Sequence, residues 1–316
     1  MRKSSVHWRA LMLATVVVWS ANCAAFAQPG PGAGAAKGPA QGTPAGDKPD
    51  NLGTPDQAVE YHDPKTGNIT AGPPIEAFLK QQLTPLPPEA PKPSADPRDF
   101  QGVWLHDQVG VMRINFDDEQ QLVPFTKDGR RIADRRLKAG YSRTPYVNAS
   151  LQCLPPGQPW ELELNFPFRV FQTDKYLVFA FEEYHTIWNI QMSDRHKPDQ
   201  PAQYMGDSIA HWDGNTLVVD TVNYKAGIWI DPQGTPMSAK GHLIQRIKRT
   251  DEGGPHLEIT TIVDDKTLYS KPWSFTRTFA WRPDRAEFAE FNCERQATAP
   301  DGISRYGAVP EPLDDQ

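Results

Sequence analysis

The chain has 316 residues, of which 38% are hydrophobic and 23% are charged, and it contains 31 prolines. It lacks the heptads, glycine repeats and long apolar runs of coiled-coil, collagen-like and multi-span membrane proteins. Its formal net charge of −6 also argues against a nucleic-acid partner, because nucleic-acid-binding domains usually carry a basic field.

The first 27 residues have the pattern of a secretory signal peptide. The basic start contains Arg2, Lys3 and Arg9, the apolar run is Ala10–Trp19, and Ala25–Ala27 fits the small-x-small site of a signal peptidase. The apolar run is too short to cross a bilayer, so we do not expect a membrane span here. We predict cleavage after Ala27, export to the periplasm or beyond in a bacterium, and no transmembrane segment after processing.

The next segment, residues 28–99, is predicted to be a Pro/Gly-rich linker. It contains 15 of the 31 prolines, and its first part cannot bury a core. One short helix is expected near 73–83, where Pro73-Pro74 precedes apolar residues at helical spacing. We place a single β-rich domain at 100–295 and a C-terminal tail at 296–316.

Strand patterns dominate this domain. The apolar segments that predict strands are 102–105, 109–116, 160–165, 168–173, 176–182, 185–192, 208–212, 216–222, 242–250, 257–264, 273–281 and 286–294. One charged surface helix is expected at 127–139. A mainly β fold follows: a single antiparallel β-barrel of about ten strands, lipocalin-like, because closure removes exposed edges and can enclose a ligand. A two-sheet β-sandwich is the alternative.

The clearest hairpin turns at Asp213-Gly214-Asn215. A two-residue turn places His211 opposite Val218, and the pleat then puts His211 on the face that carries Asp220. A carboxylate beside an imidazole fixes its tautomer and raises its basicity, which suits general acid–base work. His211 and Asp220 are therefore candidate catalytic residues, with a purely structural hydrogen bond as the alternative.

A pair of acidic residues, Glu182 and Glu183, follows an apolar strand. If the strand continues, one of them points inward, and burial would raise its pKa enough for acid or base catalysis. We take Glu183 as the third candidate catalytic residue. A turn in which both glutamates are solvated is the alternative.

Other polar and aromatic residues lie in or near the predicted strands, where they could hold a sugar or a phenolic ligand. The candidate substrate-binding residues are Asp207, Trp229, His242, Tyr269 and Trp273, although aromatic residues at strand ends often belong to the core. The histidines lack zinc-site spacing, and there is no phosphate-binding glycine loop or dinucleotide fingerprint. We expect neither a metal nor a cofactor.

Two cysteines, Cys153 and Cys293, remain after the predicted cleavage. An oxidising compartment makes them a candidate disulfide, and two separate buried thiols are the alternative.

Several motifs resemble those of a widespread group of exported bacterial β-rich proteins. The motifs are a Cys-x-Pro-x-Gly-x-Pro signature at 153–159, Gly-Asp-Ser-Ile at 206–209, Trp-Asp-Gly-x-Thr-Leu-Val-Val-Asp-Thr at 212–221, and shorter matches at 181–184, 195–198, 229–231, 271–273 and 291–294. The resemblance covers about 100–295, implies one exported domain and favours the Cys153–Cys293 pairing. It implies no activity. This chain departs from the group at Met237, Gln245 and 187–190, where the group has histidine, an acidic residue and an arginine.

Two functional hypotheses follow. The first is an exported, cofactor-independent acid–base enzyme, a lyase, isomerase or hydrolase acting on a small aromatic or otherwise apolar compound. The second is a lipocalin-like periplasmic binding protein for an apolar ligand. A structural envelope protein with a filled barrel is a third possibility. The sequence favours the enzyme slightly, because acidic residues and histidines inside apolar strands are costly unless they are paired or used. It does not indicate an oligomeric state.

Overall fold

The computed structural model describes residues 83–107, 114–142, 144–293 and 308–312, which all lie within one compact unit, Lys48–Gln316. In these residues, nine strands form a closed β-barrel. The strands are β1 (Gly102–His106), β2 (Phe168–Gln172), β3 (Tyr176–Phe181), β4 (Ile187–Met192), β5 (Asp207–Asp213), β6 (Thr216–Val222), β7 (His242–Thr250), β8 (His256–Asp264) and β9 (Trp273–Trp281). Each strand pairs with the next, and β9 pairs with β1. The predicted barrel is confirmed, and the sandwich alternative is wrong.

The segments outside the described residues include the predicted signal peptide and residues 28–82, which contain nearly all of the helix expected near 73–83. Of the predicted C-terminal tail, only 308–312 are described. Val309 forms a parallel bridge with Tyr146, and both are packed together with buried aromatic residues. This part of the tail therefore packs on the domain.

One pair of neighbouring strands, β4 with β5, is parallel, whereas the remaining described pairs are antiparallel. An odd number of strands cannot alternate in direction around a closed ring, so one parallel pair is required. A parallel pair needs a crossover connection rather than a tight turn. Residues 193–206 form that connection, and they lead the chain from the end of β4 back to the start of β5.

The hairpin of β5 and β6 has the predicted register. His211 lies opposite Val218, and the two-residue turn joins Asp213 to Thr216. Ala210 of β5 and Leu217 and Val219 of β6 are buried and face the barrel core. His211 and Asp220 share the opposite, outer face, as the alternation predicts.

Three predicted strands are not strands in their described parts. Residues 160–165 contain a 3₁₀ turn, Trp160–Glu163, because the preceding prolines cannot donate to a strand ladder. Residues 114–116 of the predicted strand 109–116 form only an isolated bridge, and β1 pairs with β2 and β9 instead. Residues 286–293 form no strand, because β9 already has β8 and β1 as neighbours.

The α-helix found in the described residues, α1 (Lys127–Tyr141), extends the predicted one by two residues. Thr126 caps it by accepting a hydrogen bond from the Gly129 amide at 3.1 Å. Two large apolar clusters stabilise the fold. The barrel core surrounds Trp104, and the end cluster contains Ile132 of α1 together with residues from the ends of β7, β8 and β9. The helix therefore packs its apolar side over one end of the barrel.

Candidate active site

A belt of polar side chains separates the two apolar clusters inside the barrel. Gln245 on β7, Thr261 on β8 and Arg277 on β9 form this polar belt. On each strand, the residue two positions to one side belongs to the barrel core and the residue two positions to the other side belongs to the end cluster. Because side chains two apart share a face of a strand, the three belt residues face the interior. Gln245 and Thr261 are buried, and the Arg277 side chain is 12% exposed.

A turn between α1 and β2 is inserted against this belt. This plug turn, residues 158–163, is buried throughout. The Gln245 side-chain amide donates to Gln158 Oε1 at 3.4 Å, and Arg277 Nε donates to Glu163 Oε2 at 2.9 Å. Burial raises the pKa of Glu163, and the neighbouring Arg277 opposes that rise. The plug turn is thus held by polar contacts in the interior of the barrel.

A disulfide attaches the segment that precedes the plug turn to the chain that follows β9. Cys153 and Cys293 are bonded with a Cα–Cα distance of 5.8 Å, so the pairing favoured by the resemblance is present. The bond joins positions 140 residues apart. It therefore restrains two segments that are not neighbours in the sheet.

Two carboxyl groups with raised pKa values lie at or near the plug turn. Glu161 lies on the turn and is 2% exposed, and Glu183 lies in a 3₁₀ turn between β3 and β4 and is partly buried. Burial raises the pKa of Glu161 well above its usual value, and the nearby Glu183 raises it further. The Thr186 hydroxyl lowers it, although the two groups lie outside hydrogen-bond geometry. Burial also raises the pKa of Glu183 to about 7. We call Glu161 and Glu183 the carboxyl pair.

The turn that carries Glu183 has an unusual backbone. Tyr184 and His185 have φ values of 54° and 49°, in the left-handed region that non-glycine residues rarely occupy. Residues 289–291 hold this turn: the Ala289 amide donates to Glu182 Oε2 at 3.1 Å, and the Phe291 ring packs 4.8 Å from the Tyr184 ring. Such backbone strain costs about 1–3 kcal/mol per residue and concentrates at functional sites.

Buried polar atoms without a hydrogen-bond partner are concentrated around the plug turn. They are Gln158 Nε2, Trp160 Nε1, both carboxyl oxygens of Glu161, Glu163 Oε1, Glu183 Oε2, Thr186 Oγ1 and Gln245 Oε1. A buried polar group without a partner costs about 1–3 kcal/mol. Native proteins contain few such groups, and a local concentration of them is typical of a site that a ligand completes.

The structure does not bring the three predicted catalytic residues together. Glu183 belongs to the carboxyl pair, whereas His211 and Asp220 lie on the outer face of the barrel. His211 is exposed, and Asp220 contacts two other histidines instead, His196 and His242.

These contacts form an outer network of His196, Asp207, Asp220 and His242. The His196 ring contacts Asp207 Oδ2 through Nδ1 and Asp220 Oδ1 through Nε2, both at 3.0 Å, and His242 Nε2 contacts the same Asp220 oxygen at 2.9 Å. The Lys197 amide also donates to Asp207 Oδ2 at 3.0 Å. The network therefore attaches the 193–206 connection to β5, β6 and β7, and it includes two predicted substrate-binding residues, Asp207 and His242.

The remaining predicted substrate-binding residues are aromatic and lie in two places. Trp229 stacks against Trp160 of the plug turn, with ring centroids 5.8 Å apart and an interplanar angle of 14°. Tyr269 and Trp273 belong to the end cluster, where their centroids are 5.4 Å apart. The Tyr269 hydroxyl donates to the Pro236 carbonyl at 2.6 Å. Of these three, Trp229 is the one next to the plug turn.

Sequence reasoning missed Gln158, Glu161, Glu163, His196 and Arg277. The two glutamates lie in 160–165, where the apolar pattern predicts a strand rather than a buried turn. An inward-facing Arg277 was detectable, because it interrupts the buried alternation of β9. His196 lies in the crossover connection, and its partners depend on the register of distant strands, which no local pattern specifies.

No group of three or more His, Cys, Asp or Glu side chains in the described ranges could hold a metal ion. Within the same ranges, no helix is long and apolar enough to span a membrane. The chain matches no protein-family model, and no curated protein is detectably similar to it. Its function must therefore be argued from the geometry of the site.

Proposed function

We propose that this chain is a cofactor-independent acid–base enzyme whose catalytic groups are the carboxyl pair. One observation carries the proposal: Glu161 is almost fully buried, Glu183 lies near enough to raise its pKa, and unpaired oxygens remain on both. No basic side chain forms an ion pair with either carboxyl in the described part of the chain. Such perturbed, uncompensated carboxyls are typical of catalytic sites.

The two carboxyls suit opposite roles in proton transfer. With a pKa of about 7, Glu183 is partly ionised near neutral pH and can accept a proton as a general base. Glu161, whose pKa is raised well above its usual value, stays protonated and can donate to a substrate oxygen as a general acid. Each proton that Glu183 accepts is matched by one that Glu161 donates, so the proton count balances without a redox partner. The starting state returns when Glu183 releases its proton to solvent and Glu161 takes one up.

The surroundings of the carboxyl pair favour a small aromatic or apolar substrate. Trp160 and Trp229 provide stacked rings beside the plug turn, and apolar clusters lie on both sides of the polar belt. A lyase or isomerase reaction fits this arrangement, because it can proceed by proton transfer alone, and a hydrolase reaction fits if a water molecule is the second reactant. A disulfide supports export, since such bonds persist in oxidising compartments.

A lipocalin-like binding protein is the second candidate. The composition of the barrel core supports it, because inward-facing aromatic residues such as Phe168, Phe179 and Trp188 pack together in the interior. In that case the polar belt would only orient an apolar ligand, and the ligand would leave the protein unchanged. The two candidates therefore differ in whether a product forms.

The test is to incubate the purified protein with an extract of its host's growth medium and to follow bound and free compounds by mass spectrometry. We expect a new free product, formed with a rate that rises with pH near 7 as Glu183 ionises. Glu183→Gln should lower the rate by about 100-fold or more. Glu182→Gln and His211→Ala are matched controls that should leave the rate unchanged.

Equal product formation by Glu183→Gln would contradict the proposal. Retention of an unchanged compound by all four proteins would favour the binding protein instead.

A further inference from the structure

We propose that residues 286–293 act as a strap that positions Glu183, with Phe291 as the positioning residue and the Cys153–Cys293 disulfide as the anchor. This inference rests on the proposed function, because it takes Glu183 as the general base. It deepens that function by identifying what holds the base in place and what would release it.

The turn that carries Glu183 needs support from outside itself. The two residues after Glu183, Tyr184 and His185, both have positive φ values, 54° and 49°. Non-glycine residues keep such a conformation only where their surroundings enforce it. The Thr186 amide closes the turn by donating to the Glu183 carbonyl at 3.5 Å, which is long for a hydrogen bond. A second segment therefore has to enforce the conformation.

The strap contacts this turn before and after its catalytic residue. The Ala289 amide donates to Glu182 Oε2 at 3.1 Å. The Phe291 amide donates to His185 Nε2 at 3.4 Å. The Phe291 ring packs 4.8 Å from the Tyr184 ring and 6.4 Å from the His185 ring. Phe291 thus touches both residues with positive φ, which makes it the positioning residue.

Few contacts hold the strap itself. The structure describes all eight of its residues, and none of them is buried or part of a strand. The Arg169 side chain donates to the first carbonyl of the strap. The disulfide at Cys293 fixes the opposite end. The disulfide therefore limits how far the strap can move from the turn.

The other half of the disulfide also lies close to the turn. Burial raises the pKa of the Tyr184 hydroxyl, and the hydroxyl of Ser150, three residues before Cys153, opposes that rise. Cys153 itself has a φ of 56°, so its backbone is also in the left-handed region. The segments on both sides of the disulfide thus approach the turn that carries Glu183.

The strap affects the chemistry because it keeps water away from the base. Glu183 Oε2 is buried, and burial raises the pKa of Glu183 to about 7. If the strap leaves, the turn can relax and the carboxyl group becomes hydrated, so its pKa falls towards the usual value of a glutamate. The other titratable groups around Glu183 and on the strap are Glu161, Glu182, Tyr184, His185, Glu287 and Glu290.

The test follows the Glu183 carboxyl group by NMR, in protein labelled with ¹³C at the glutamate side-chain carboxyls. Glu183→Gln identifies its signal, which should titrate with a midpoint at about pH 7 in the unmutated protein. Phe291→Ala should lower the midpoint by about one pH unit or more, because the turn opens to water. Phe288→Ala is the matched control. Its ring lies on the same strap but packs against Arg169, 5.6 Å away, so the midpoint should stay unchanged. Neither alanine variant changes a charge.

Reduction of the disulfide is a second measurement, which needs no variant. Dithiothreitol supplies two electrons and two protons, so the disulfide becomes two thiols and the reductant becomes a cyclic disulfide. Loss of the anchor should lower the midpoint in the same direction as Phe291→Ala does. An unchanged midpoint in Phe291→Ala, or an equal fall in Phe288→Ala, would overturn the inference. If Phe291→Ala does not fold, an unchanged midpoint in the reduced protein would do the same.

Failure of the proposed function gives a different result. If the midpoint falls in Phe291→Ala but the medium extract gives no product that depends on Glu183, the strap is retained and the enzyme is refuted. If a Glu183-dependent product forms and the midpoint does not move, the enzyme is retained and the strap is refuted. Where both hold, the pH of half-maximal rate should fall together with the NMR midpoint in Phe291→Ala.

Discussion

Replacing Glu183 with glutamine should change how the stability of the protein depends on pH. The pKa of Glu183 is raised by burial from 4.5 to about 7 in the folded state. At pH values below 4.5 the group is neutral in both the folded and the unfolded state, so it has no effect. As the pH rises above that value the unfolded chain ionises first, and the folded state loses stability until the pH exceeds about 7.

The magnitude follows from the gap between the two pKa values. A gap from 4.5 to about 7 corresponds to about 3 kcal/mol if it is fully expressed. Glu183 is only partly buried, so water screens part of this penalty, and we expect about 1 kcal/mol between about pH 5 and about pH 8. Glutamine is neutral at every pH, so it does not carry this penalty. Relative to the unmutated protein, the variant should therefore be more stable at the higher pH.

The assay is urea unfolding of both proteins at the two pH values, with the disulfide intact. The difference in free energy of unfolding between Glu183→Gln and the unmutated protein is measured at each pH. Subtracting one difference from the other cancels any effect of the amide that does not depend on pH. Glu182→Gln is the matched control, because Glu182 lies in the same turn and its side chain still accepts from the Ala289 amide. An equal shift in both variants, or a relative loss of stability for Glu183→Gln at the higher pH, would refute the reasoning.

Three further predictions concern stability and use the same urea assay. His196→Ala should lower the free energy of unfolding by about 2–3 kcal/mol, because the buried Asp207 carboxylate loses its imidazole partner. His211→Ala, on the same outer face, should lower it by less than about 0.5 kcal/mol. Replacing Cys153 and Cys293 by serine should cost about 4 kcal/mol, because the bond closes a long loop, and reduction of the unmutated protein should reproduce that loss. Gly206→Ala should cost more than about 2 kcal/mol, because φ is +68° and a Cβ atom would lie 2.8 Å from a backbone oxygen; a stable Gly206→Ala protein would contradict this.

The parts of the fold that could be predicted are those specified by local pattern. The Asp-Gly turn fixes the β5–β6 register, and strict alternation shows which residues of β7 and β8 face the core. The helix α1 was visible from its charged face and apolar spacing. These features depend on neighbouring residues, so one sequence is enough to find them.

The errors arose where tertiary context decides. Residues 160–165 and 286–294 have the composition of strands, but the barrel was complete without them. Closure by β9 on β1 is a contact between residues more than 150 apart, and no local pattern reports it. The parallel pairing of β4 with β5 likewise follows from the total number of strands rather than from either strand.

The candidate site shows the same division. Glu183 was found because an acidic residue directly after an apolar strand is a local signal. Its partner Glu161 has no such signal, because it lies in a turn whose apolar pattern predicts a strand. Only the tertiary fold brings this turn to Glu183. The expected pairing of His211 with Asp220 placed both on one face correctly, but Asp220 uses His196 and His242 from other elements.

The two polar groups of this barrel differ in what their surroundings allow. In the outer network, Asp207 and Asp220 each lie within hydrogen-bond distance of an imidazole nitrogen, so both carboxylates have partners within the chain and fix the crossover connection. In the interior, Glu161 and Glu183 have unpaired oxygens and no cation beside them in the described part of the chain. A paired group stabilises the fold by itself, whereas an unpaired buried group costs stability until a ligand completes it. We therefore expect His196 and His242 to stabilise the outside of the barrel, and we expect catalysis at Glu161 and Glu183 inside it.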